Sequence, residues 1–152
     1  DCLLSRGLGD VYKRQQYVHQ GWFDKTQRFF ILGDELDEFF TGGKTRTLVF
    51  DLNDLDNPLL HHTYYGPTDA IDHNGYVKED LFYLANYSAG IRIIDISDLD
   101  NKNMEEIGFF DTFPQNNSAD FFGAWSVYPF FESGVIAISD INRGLFLIKK
   151  SE

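Results

Sequence analysis

The sequence predicts an all-β fold, a partial β-propeller of about three blades, and three observations carry the prediction. Short runs rich in Phe, Ile, Val, Leu and Tyr recur along the chain, each bounded by Gly, Asn, Asp or Ser. Long helical periodicity is absent. The runs also resemble one another: TLVFDLNDLDN at 47–57 is nearly restated by IRIIDISDLDN at 91–101.

In chain order, the expected strands are RFFIL (28–32), RTLVFDL (46–52), LFYLANY (81–87), GIRIIDI (90–96), GVIAIS (134–139) and GLFLI (144–148). LFYLANYSAGIRII (81–94) aligns without a gap on VIAISDINRGLFLI (135–148), placing Gly90 on Gly144 and Asn86 on Asp140. Each segment reads as a hairpin whose connection, YSAG or INRG, ends in a glycine able to take the positive φ of a tight return. The first unit has the same two strands, FFILGDE and RTLVFDL, joined by a longer loop. An upstream element repeats as well: HQGWF (19–23) matches HNGYV (73–77), and AIDHNGYV (70–77) lines up with AWSVYPFF (124–131), where Val127 takes the place of the histidine. LVFDL and RIIDI are apolar on both alternating faces, which predicts strands covered on both sides. The Asp, Ser and Asn side chains of DLNDLDN and DISDLDN are expected to bond nearby backbone N–H groups. One such unit cannot bury both faces, so units must stack, and three fall short of a closed ring. Residues 16–152 are therefore expected to be the C-terminal part of a larger propeller.

Residues 1–15, DCLLSRGLGDVYKRQ, have no strand periodicity and resemble translated adaptor read-through; they are expected to be foreign to the fold. They carry no signal-peptide h-region. Cys2 is the only cysteine, so neither an internal disulfide nor a thiolate metal cluster can form.

Composition narrows the function. Twenty-four acidic against 13 basic side chains give a formal charge of −11, which repels nucleic acid and anionic membrane. No apolar run approaches the roughly 18 residues of a spanning helix. No G-x-S-x-G, P-loop or dinucleotide fingerprint occurs. His19 and His73 occupy matching positions, and two imidazoles so placed beside a carboxylate such as Asp72 can hold a transition metal; the plainer reading is a pair of structural hydrogen bonds with Trp22 or Tyr76 packed alongside. GDELDE (33–38) sets Asp34, Glu35, Asp37 and Glu38 in the long loop, where carboxylates suit calcium, with Asp34 and Glu35 as ligands; the plainer reading is a solvated acidic loop. Phe39 and Phe40 follow directly, and the loop with His19 and His73 is expected to form the main binding surface. Trp125 is a further candidate binding residue. His61 and His62 read as half-exposed strand residues.

The motifs LVFDLNDLDNP and IRIIDISDLDN resemble the LVIVD repeat. The order HQGWF, GDELDE, DHNGYV, ANYSAGIRIIDISD, GAWSVYPFFESG and SDINRGLF is similar to the choice-of-anchor B family, over roughly residues 16–149. The resemblance implies an exported bacterial β-propeller held at the cell surface, and it supplies no reaction and no catalytic residues. The sequence ends at KKSE, and the anchor that the resemblance implies is expected either beyond that point or to be lacking in a released copy. Two functions remain open: a non-enzymatic binding protein for a protein or glycan, and a metal-dependent hydrolase with its site at the propeller axis.

Overall fold

The computed structural model describes residues 16–151, so the expectations for residues 1–15 and Cys2 lie outside the described residues. The chain forms three antiparallel sheets in succession. The first contains β1 (Val18–Phe23), β2 (Phe29–Asp34), β3 (Arg46–Asp51) and β4 (Leu59–Tyr65). The second contains β5 (Gly75–Lys78), β6 (Leu81–Ala85), β7 (Ile91–Asp95) and β8 (Glu105–Phe110). The third contains β9 (Ala124–Tyr128), β10 (Val135–Asp140) and β11 (Gly144–Lys149). Within every sheet, strands lie side by side in sequence order, as short connections between antiparallel neighbours dictate. The all-β expectation is met at this level.

Period-2 burial explains the stacking. In β7, Ile94 joins Phe29, Ile31, Val49, Tyr64, Val77, Phe82 and Leu84 in a core shared by the first and second sheets. Ile91 and Ile93 point the other way, into a core with Val127, Ile136 and Ile138 of the third sheet. The second sheet is thus covered on both faces, as its doubly apolar strands require. Val49 of β3 faces the shared core, while Leu48 and Phe50 pack with Leu32 on the far face of the first sheet.

The turn chemistry follows the sequence. Asp51 accepts the backbone N–H of Asn53 at 2.9 Å, and Asp95 that of Ser97 at 2.8 Å, so both Asp-ended strands close with the same side-chain bond. Gly90 and Gly144 have φ of +73° and +85°. Gly21 and Gly75 serve a different purpose. A Cβ on Gly21 would lie 2.3 Å from the Phe30 ring and one on Gly75 2.1 Å from the Phe82 ring, so each glycine makes room for an aromatic ring of the next strand.

The long loop departs from expectation. Residues Asp37–Thr41 form a short helix, α1, and Asp37 and Glu38 are buried rather than solvated.

Candidate functional site

The candidate site lies where the first strands of the sheets meet. β1 packs against β5, and β5 and β6 against β9. His19 stands at an irregularity in β1, between Val18 (opposite Asp34) and Gln20 (opposite Gly33). Trp125 stands at the corresponding irregularity in β9, between Ala124 (opposite Asp140) and Ser126 (opposite Ser139). Bulges of this kind re-aim a side chain. His73 precedes β5, with its N–H donating to the Ala85 carbonyl. The three side chains converge: the His19 and His73 rings stack at 4.3 Å, and Trp125 lies 4.4 Å from His73.

This corrects one correspondence expected from the sequence. Gly75 pairs with Leu84, and Val127 pairs with Ile138. Val127 therefore matches Gly75, and the residue matching His73 is Trp125. An ungapped alignment carries one offset throughout and misses the shift.

Glu35 completes the cluster. Its N–H donates to the Tyr17 carbonyl, which pins the chain just after β2. Its Oε2 lies 3.2 Å from His19 Nδ1 and its Oε1 3.6 Å from His73 Nε2. The Tyr87 hydroxyl donates to Oε1 at 2.6 Å. Burial, with Glu35 alongside, pushes the Tyr87 phenol far up and keeps it a donor. His73 is 1% exposed, and its Nδ1 bonds the Trp125 carbonyl at 2.5 Å. Burial pulls the His73 pKa down, which favours the neutral ring, although the Trp125 carbonyl and Glu35 act the other way. Among the described residues, His19, Glu35 and His73 form a group of metal-capable side chains whose ligand atoms lie within 4.8 Å of one another. The carboxylate beside the two imidazoles is Glu35 rather than Asp72.

Asp72 lies fully buried elsewhere. It accepts the Thr47 hydroxyl at 2.8 Å, and burial, reinforced by Asp37 and Asp34, holds its pKa well above the usual carboxylate range. The remaining acidic residues of GDELDE turn toward Arg46. Asp34 accepts the N–H groups of Gln16 and Tyr17 and sits 3.2 Å from Arg46 Nη2. Asp37 binds Arg46 Nε, and Glu38 Oε1 accepts the Arg46 backbone N–H at 2.6 Å. Asp34 and Glu35, the pair expected to share calcium, thus engage different partners. The basic partner that offsets the acidic segment lies within the chain.

No family model matches the sequence, and no curated protein matches it. The described residues form no helix long and apolar enough to cross a membrane.

The other expected residues are dispersed. Trp22 packs edge-on to Tyr76 at 5.1 Å, away from the His19 cluster. His61 and His62 are half-buried in β4, and His61 Nε2 bonds the Leu99 carbonyl. Sequence reading missed Tyr87 and Phe121. Tyr87 touches His73, Trp125 and Phe121, and Phe121 meets Phe39 at 5.6 Å, so rings run from the histidines to α1. Tyr17, Trp125, Phe39 and Phe40 along this path are 51%, 46%, 53% and 65% exposed.

The acidic pocket sets a pH dependence. Glu38 is 2% exposed and faces Asp37, Asp72 and Arg46; burial first, then the Asp72 and Asp37 charges, push its pKa up to about 11. The folded state therefore binds a proton that the unfolded chain releases near pH 4.3. This contribution is complete below that pH and is lost as pH rises toward the folded value. Asp72 acts with the same sign. One such proton corresponds to about 1.4 kcal/mol per pH unit, so the chain is expected to be roughly 2–3 kcal/mol less stable at pH 8 than at pH 6, with Glu38→Gln flattening the slope. Urea melts at the two pH values check this; equal stability of the wild type at both would refute it.

Proposed function

We propose that the chain is a segment of an LVIVD-repeat β-propeller of the choice-of-anchor B type, exported to the bacterial cell surface, where it binds a protein or glycan. Three meanders in sequence order, with their first strands packed together, support the propeller reading, since blades are four-stranded sheets set around a common axis. Leu145 and Leu147, 68% and 64% exposed on β11, suit a face that meets a further blade.

The observation that carries the binding reading is the path of rings from Tyr17 through His73 and Trp125 to Phe39 and Phe40. Exposed aromatic side chains on a rigid scaffold are the residues that dominate binding surfaces. Their π faces also accept the C–H faces of sugars. The test is affinity measurement against purified cell-envelope polysaccharides and surface proteins. Trp125→Ala and Phe39→Ala are each expected to weaken binding by about tenfold or more. Unchanged affinity in both variants would remove this surface from the function.

A second reading, metal-assisted hydrolysis at the axis, is favoured by the convergence of His19 and His73 with Glu35. It needs an ion to activate water.

A further inference from the structure

We propose that His19, Glu35 and His73 bind one divalent transition-metal ion of the zinc class, leaving a coordination position open. The inference concerns these three residues and deepens the second reading above, but it requires neither hydrolysis nor a cell-surface location.

The geometry has the right scale. Two ligand atoms about 2.1 Å from a tetrahedral ion lie about 3.4 Å apart. Glu35 Oε2 stands 3.2 Å from His19 Nδ1 and Oε1 3.6 Å from His73 Nε2, and one ligand atom from each of the three residues lies within 4.8 Å of the others, so an ion would draw them slightly inward. Stacking at 4.3 Å keeps the two imidazole rings side by side facing the same carboxylate.

The decisive observation is an unpaired atom. The Trp125 carbonyl can only accept, so the proton of a neutral His73 resides on Nδ1. Nε2 is then a bare lone pair, buried and without a hydrogen-bond partner. It faces Glu35 Oε1, itself lone-pair-bearing, at 3.6 Å. Two acceptors opposed in a buried place repel one another unless a cation or a proton lies between them. Metal-binding histidines characteristically donate their other N–H to a backbone carbonyl, as His73 does to Trp125. Tyr87 orients the carboxylate in the same supporting way.

The donor set selects the ion. Two imidazoles and one carboxylate suit zinc, copper or nickel, whereas calcium and magnesium prefer all-oxygen shells. Three protein ligands leave the fourth tetrahedral position free, the arrangement of open rather than closed zinc sites. The His19 side chain is 31% exposed, so the ion has an entry path and the open position can reach solvent.

The test uses the full chain carrying Cys2→Ser, stripped with chelator, then titrated with zinc chloride by calorimetry. One ion per chain is expected, with a rise in melting midpoint under excess zinc. His19→Ala, which alters a half-exposed side chain, and Glu35→Gln are each expected to weaken zinc binding by at least about tenfold. His62→Ala, outside the site, should leave it unchanged. Cobalt loading should give the visible band of a tetrahedral site, lost in His19→Ala. Absence of saturable binding, or affinity unaltered in both His19→Ala and Glu35→Gln, would show that the cluster holds only shared protons and overturn the proposal. Zinc bound as expected without ester or glycoside cleavage would keep the site and remove only the hydrolytic reading.

Discussion

Gly90→Ala is expected to cost about 4 kcal/mol or more, or to prevent folding. Gly90 closes the β6–β7 hairpin at φ +73°, and a Cβ there would lie 2.1 Å from the Phe110 carbonyl oxygen, 2.7 Å from Asp111 Cα and 2.8 Å from the Thr112 nitrogen. All three atoms are backbone, so no side-chain rotation relieves the collision. Gly144 supplies the control. It closes the β10–β11 hairpin at φ +85°, but nothing lies within 4 Å of its Cβ position. Gly144→Ala should therefore cost only the positive φ, about 1–2 kcal/mol. Equal losses in urea denaturation would mean that the end of β8 does not approach Gly90 as described.

Arg46→Met is expected to destabilise the chain by about 3–5 kcal/mol, because it removes the cation from Asp34 and Asp37, which are 0% and 3% exposed. Methionine keeps the apolar stem, so the loss reports on charge rather than volume. Arg46→Lys should fall between, since an ammonium cannot reproduce the planar fork. A loss below about 1 kcal/mol for Arg46→Met at pH 7 would show that the acidic segment is stabilised by something else.

The strands of the fold were readable to very different degrees. β2, β3, β6, β7, β10 and β11 announce themselves as short apolar runs bounded by turn residues, and β3 and β7 are also apolar on both faces, the mark of strands covered on both sides. β4, β5, β8 and β9 mix polar and apolar residues and owe their pairing to their neighbours, so the sequence signals them weakly; β8, EEIGFF, alternates in burial but not in polarity, with Ile107 and Phe109 facing out and Glu106 half-buried. Tight turns were legible from Asp51, Asp95 and the two hairpin glycines, since those bonds are local. GDELDE was misleading for the opposite reason. Clustered carboxylates are usually solvated, and their burial here depends on Arg46 meeting them across the hairpin. Glu35 could not be singled out from its neighbours in sequence, because its partner Tyr87 comes from the second sheet. The match of Trp125 to His73 was hidden by an offset between first strands and hairpins that only the strand register reveals.

The convergence of the three sheets on His19, Glu35 and His73 is tested most directly by anomalous diffraction at the zinc edge from crystals of the zinc-loaded chain. One peak is expected, with an imidazole nitrogen of His19, an imidazole nitrogen of His73 and a Glu35 oxygen each about 2.0–2.2 Å away. A peak ligated by other residues, or these three side chains apart with no peak between them, would contradict it.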